Sequence, residues 1–125
     1  MLTLAPGWEL DVERGPDWLF VRLHCPENRE TEPSDLANRL WRLMEQHFTY
    51  RLVLELDDVP SLSSYFLGQL VMLHKRIHSH GGILRLSGLT DPALDALRAC
   101  RLDHSFSRYS TREDAVMGYL PTKPR

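Results

Sequence analysis

The chain has only two cysteines, no apolar run approaching the ~20 residues needed to cross a bilayer, and almost no charge excess of either sign. Cys25 and Cys100 stand far apart and belong to no metal or redox spacing. One bridge between them is arithmetically possible, but two reduced thiols in a cytosolic protein are the expected state. A formal charge of −2 gives no global attraction to nucleic acid or to an anionic membrane, so neither partner is expected. No N-terminal stretch joins basic residues to an apolar core, so no signal peptide is expected. Also missing are a Ser/His/Asp motif, a phosphate-binding Walker loop and a dinucleotide glycine pattern. The expectation is therefore a cytosolic non-enzyme with no catalytic residues, no metal and no cofactor.

What is present is ordinary for a folded domain. A chain of 125 residues with 42% apolar and 26% charged side chains can bury a core without staples. Residues 1–120 are read as one domain and 121–125 as a frayed tail. Trp8-Glu9-Leu10-Asp11-Val12 alternates apolar with polar, and Trp18–Leu23 follows the turn Arg14-Gly15-Pro16-Asp17, which together predict a hairpin. His24 to Glu32 reads as a loop. Pro33-Ser34 predicts a helix start with Ser34 as cap, and Leu36, Leu40, Leu43 and Met44 share one face. The apolar run Leu52-Val53-Leu54-Glu55-Leu56 is a buried strand.

A helix follows from about Ser64 to Ser79, carrying Leu67, Leu70, Val71, Met72, Leu73 and Ile77 and stopping at Gly81-Gly82. Ile83–Ser87 is a further buried strand. Thr90-Asp91-Pro92 opens the next helix, with a cap residue and a proline in the first turn. Phe106–Tyr109 predicts a short strand, and Thr111-Arg112-Glu113-Asp114 a final helix start. Strands alternating with helices call for a largely parallel sheet with helices packed against it. Functional surfaces in such sheets gather outside the carboxyl ends of the strands.

One junction occupies such an end: Asp58-Val59-Pro60-Ser61-Leu62-Ser63-Ser64-Tyr65-Phe66-Leu67-Gly68. A helix N-terminus offers unpaired N–H groups and a positive dipole end. A serine there caps the helix or accepts a phosphate, which adds nearly two negative charges. The residues alone leave both jobs open for Ser63 and Ser64. Two other clusters read as structural. His74, His78 and His80 have a metal-like spacing but no third ligand or acidic support, and read as an exposed polar face. Asp57 and Asp58 read as a strand terminus whose side chains accept backbone hydrogen bonds rather than as an acid–base pair.

Leu52 to Val71, Leu73-His74-Lys75-Arg76, Gly81 to Leu86, Asp91-Pro92-Ala93-Leu94, Leu97, Leu102 to Phe106 and Tyr109 to Ala115 resemble the STAS domain of anti-sigma-factor antagonists. The resemblance is carried by the C-terminal two thirds; the hairpin and first helix fit by order and pattern. It implies an α/β fold: a single domain with a small mixed, largely parallel sheet, an N-terminal hairpin and about four helices. In that family the junction reads Asp-Ser-Ser/Thr-Gly-Leu. Here Ser63 stands at the Asp position, Ser64 at the phosphoacceptor, Tyr65 at the Ser/Thr and Phe66 at the Gly. The implied function is a signalling interaction module. It would bind an anti-sigma factor bearing a serine-kinase ATPase domain, and phosphorylation at Ser64, or alternatively Ser63, would release it. The binding patch is expected to comprise Asp58, Ser63, Ser64, Tyr65 and Phe66. The alternative is an adaptor that works without phosphorylation, such as a subunit of a lipid-transport ATPase or of a signalling scaffold.

Overall fold

In the computed structural model, which describes residues 2–5, 7–27 and 32–118, the short apolar runs become strands and the amphipathic segments helices. The order is β1 (Leu2–Ala5), β2 (Trp8–Arg14), β3 (Leu19–His24), α1 (Leu36–Gln46), β4 (Arg51–Asp58), α2 (Ser64–Ser79), β5 (Ile83–Ser87), α3 (Asp91–Ala99), β6 (Ser107–Tyr109) and α4 (Arg112–Met117). The predicted tail, 121–125, lies outside the described residues. The expected α/β class and the β2–β3 hairpin are both present. Strand β1 was not expected; it pairs antiparallel with β2 and extends the sheet.

The six strands lie side by side in sequence order. The first two pairings are antiparallel and the remaining three, β3–β4, β4–β5 and β5–β6, are parallel. That order has a strong consequence. Parallel connections are right-handed, so three successive crossovers moving in one direction put α1, α2 and α3 on the same face of the sheet. Strand periodicity then divides the side chains. Leu19, Val21, Leu23, Leu52, Leu54, Leu56, Leu84 and Leu86 join the large core under the helices. Their neighbours point the other way, where Trp18, Phe20, Val53 and Tyr109 form a small second cluster with Ala115 of α4. A sheet that never reverses its strand order also has no switch-point crevice of the kind that holds ligands in doubly wound folds.

Helix boundaries follow local chemistry, with two departures. Thr90 and Thr111 cap α3 and α4 by accepting from the backbone N–H of Ala93 and Asp114 at 3.2 and 3.1 Å. At the end of α2, Gly81 adopts φ +73 while its N–H bonds the carbonyl of His78, and the Gly82 N–H bonds that of Ile77. Gly82 is required for space as well: a Cβ there would lie 2.2 Å from the carbonyl oxygen of Tyr50. The first departure is Ser34, which does not cap α1. The helix begins after Asp35, whose side chain makes no cap bond. Instead the Gln69 side chain of α2 accepts from the Ala37 N–H at 2.8 Å, so the neighbouring helix supplies the missing cap. The second departure is on the buried face of α1, where Trp41 and Ala37 join Leu36, Leu40 and Met44 while Leu43 is only half-buried. No helix among the described residues is long and apolar enough to cross a membrane.

Candidate functional site

The junction after β4 is pinned by apolar side chains before any polar group acts. Val59 and Leu62 are buried in the main core, and the Val59 N–H bonds the carbonyl of Leu56 at 3.1 Å. Leu62 precedes the cap and Leu67 occupies the fourth helical position, and both are buried, which is the pattern that fixes the entry of a chain into a helix. The preceding loop is tied to the next junction by the Thr90 hydroxyl, which donates to the carbonyl of Pro60 at 2.7 Å.

Within this frame the two serines have different roles. Ser63 is the cap: its hydroxyl accepts from the Phe66 N–H at 3.1 Å and donates to Glu32 Oε1 at 2.7 Å. Ser64 is the first helical residue. Its side chain is exposed and makes no hydrogen bond among the described residues. Tyr65 is 38% exposed, and its hydroxyl donates to the carbonyl of Pro33 at 2.7 Å. The junction is thus buttressed by the segment that leads into α1.

Of the expected patch, one member is buried and another is engaged in ion pairs. Phe66 is fully buried and stacks on Trp8 with ring centroids 6.0 Å apart, so it is a core residue and offers nothing to a partner. Its position at the third helical residue turns it inward under the sheet-facing side of α2. Asp58 stays about half exposed and takes part in an ionic cluster at the strand end. His24 Nδ1 lies 2.9 Å from Asp58 Oδ2, and His24 Nε2 lies 2.8 Å from Asp11 Oδ2. Asp57 and Asp58 both face Arg22, at 3.4 and 3.9 Å, so they pair with side chains rather than simply ending the strand. Sequence reasoning missed Glu32. Its contact with Ser63 spans 31 residues and carries no spacing signal.

The cluster continues across the outer face of the sheet. Glu55 is 1% exposed, yet it receives Arg112 Nε at 2.5 Å and Arg112 Nη2 at 2.9 Å, with Arg22 Nε 3.4 Å away. Arg112 also reaches Glu13 Oε1 at 2.7 Å and lies over the Phe20 ring at 4.3 Å. The hydrogen bonds to Glu55 above all, against the opposing effect of burial, hold the guanidinium even more firmly protonated than usual. This arrangement fastens α4 to the sheet.

The histidines of α2 are not one solvated row. His74 is half-buried with its ring 5.0 Å from Phe106, and burial, aided by the nearby His78, pushes its pKa below the ordinary value. His80 packs against Trp41 at 4.6 Å and Tyr50 at 5.4 Å. Among the described residues no group of three or more His, Cys, Asp or Glu could hold a metal ion. Cys25 and Cys100 are both unbridged.

Residues 16–115 match the family model of the STAS domain. Solved structures share the fold. An anti-sigma-factor antagonist (STAS) domain protein from Planctomyces limnophilus is 23% identical with a TM-score of 0.73, covering 88% of this chain and 97% of its own. An anti-sigma factor antagonist from Mycobacterium paratuberculosis is 19% identical with a TM-score of 0.74, covering 94% and 98%. The unphosphorylated form of the anti-sigma factor antagonist SpoIIAA is 12% identical with a TM-score of 0.65, covering 90% and 100%. No curated protein matches the chain.

Proposed function

This chain belongs to the STAS domain family, and on that premise we propose that it is a signalling interaction module of the anti-sigma-factor-antagonist type, switched at Ser64. The partner is an anti-sigma factor carrying a serine-kinase domain, and the contact surface is the end of α2 around Ser63, Ser64 and Tyr65. The observation that carries this reading is the division of labour between the serines. Ser63 already caps the helix and holds Glu32, which leaves Ser64 as the exposed hydroxyl at the family's phosphoacceptor position.

A phosphate on Ser64 would sit in the first turn of α2, where the helix dipole favours it within the molecule. The partner would meet the opposite effect: bulk and nearly two negative charges placed inside a contact patch. Release then follows from the bulk of the phosphate and the cost of desolvating it, without any change of fold.

The test is incubation with the kinase and ATP followed by intact-mass measurement. One phosphate is expected on the natural chain, none on Ser64→Ala, and one on Ser63→Ala. The last variant should fold with a loss of about 1 kcal/mol from its missing cap. A chain that takes no phosphate from any kinase able to bind it would refute the switch. One observation favours a second reading, an adaptor that is not switched. Tyr65, a bulky aromatic where the family has Ser or Thr, directly follows Ser64 and is anchored by its hydroxyl to the carbonyl of Pro33. A structure of the stressosome, a signal integration hub, is among those sharing the fold, at a TM-score of 0.67.

A further inference from the structure

Helix α2 is 16 residues long, so its far end lies about 24 Å from the Ser63 junction. There, at the amino ends of the parallel strands, the chain leaving α1 does something that folding does not explain. His47 is the C-cap of α1, the Phe48 N–H bonds the carbonyl of Glu45, and the Thr49 N–H bonds that of Met44. This is the glycine-type helix stop, with Phe48 in the position that glycine usually takes, at φ +54. A phenylalanine is strained there, because its Cβ crowds the backbone. Nor is the strain offset by packing, since Phe48 is 89% exposed. The same stop at α2 uses Gly81.

Around Phe48 is a shallow cleft of about 340 Å3 lined by Arg14, Pro16, Asp17, Tyr50 and Arg51 together with Gly81 and Gly82. Tyr50 is 41% exposed and is held upright by stacking on Trp41 at 5.4 Å, which itself packs on His80. The two arginines carry no carboxylate partner among the described residues. Arg14 donates to the carbonyl of His47, and Arg51 lies 5.9 Å from the Trp18 ring centre. Two exposed aromatic rings flanked by two guanidinium groups without a carboxylate partner among the described residues, against the single carboxylate of Asp17, are complementary to an acidic chain with an apolar anchor. A second copy of this chain is a poor occupant. A two-fold contact would bring the arginines of both copies together.

We propose that the Phe48–Tyr50–Arg14–Arg51 cleft is a second protein-docking surface, which takes an acidic segment bearing an aromatic or leucine anchor. It is separate from the Ser63 junction, so one STAS domain would hold two partners at opposite ends of α2.

The test is a titration of the full chain, followed by amide chemical shifts. The probe is an amidated peptide with a central tryptophan–leucine pair flanked by three glutamates on each side. Shifts are expected at Phe48, Thr49, Tyr50, Gly81 and Gly82. Phe48→Gly and Arg14→Gln/Arg51→Gln should each weaken binding at least tenfold, while Ser64→Glu leaves it unchanged. Phe48→Gly should also raise the melting temperature by a few degrees, because glycine relieves the backbone. A fall instead would mean that Phe48 is there for stability, and the proposal would fail. It would equally fail if the peptide with lysines in place of glutamates bound as well, or if the shifts appeared elsewhere. Concentration-dependent shifts of the same amides without peptide, with dimer seen by sedimentation, would assign the surface to a second copy and overturn the proposal.

Discussion

Leu54 and Glu55 are adjacent in β4, and they show how differently the two faces of this sheet are built. Leu54 enters a core covered by three helices, whereas among the described residues Glu55 enters a face covered only by the six residues of α4. The helix-covered face is made of leucine, valine and aromatic side chains whose burial needs no particular partner. The other face is held by directed contacts. Arg112 forks onto Glu55, and Arg85 lies over Trp18 at 5.0 Å and Tyr109 at 5.6 Å while donating to the carbonyl of Ala115 at 2.7 Å. A face given too little cover for a full apolar layer is fastened by pairs, each of which fails if one member is removed. The two faces therefore predict two kinds of mutational response.

On the covered face, Phe66→Ala should be among the most damaging changes, at about 3–5 kcal/mol, because it leaves a void against Trp8. Urea unfolding measures this. A second truncation at Trp8 should make matters worse rather than rescue the first. On the outer face, Arg112→Ala should cost about 1–3 kcal/mol, since it removes two hydrogen bonds from the buried Glu55 carboxylate and leaves Arg22, 3.4 Å away, to offset its charge. Here rescue is expected: the double change Arg112→Met/Glu55→Leu removes both charges at similar volume and should recover most of the loss. If the double variant were as unstable as the single one, the outer face would be packing like the inner face, and the contrast would collapse.

The same contrast explains what could be read from the sequence. Periodicity reports burial, so β2 to β6 and the α2 helix were legible as elements, and the caps at Thr90 and Thr111 were legible from their side-chain chemistry. Pair contacts are not periodic. Glu55 stood inside an apolar run, and its partner Arg112 lies 57 residues away. Glu32 behind Ser63 and Gln69 capping α1 are also remote, 31 and 32 residues from their partners. Phe66 misled for a related reason. Its place in a junction motif marked it for the surface, but at the third helical position it faces Trp8 of the hairpin, a contact no local pattern shows. The junction's place at the start of α2 was legible from the sequence, whereas the remote groups that the fold brings to it, Glu32 and the carbonyl of Pro33, were not.

The smallest expected effect sharpens the comparison through pH. The helical layer over the inner face contains a half-buried histidine, His74, packed on Phe106, and burial lowers its pKa from the ordinary 6.5. The unfolded chain therefore binds a proton that the folded chain refuses, so this residue's contribution is fully present above about pH 6.5 and is lost as pH falls through that value. Arg112 on the outer face stays charged throughout, so its contribution to stability does not change across this range. Urea unfolding at about pH 7.5 and about pH 5.5 should show a larger stability loss for the natural chain than for His74→Gln. Arg112→Met/Glu55→Leu should leave that pH-dependent loss as it is in the natural chain. Equal losses in the natural chain and His74→Gln would mean that His74 is as well solvated folded as unfolded.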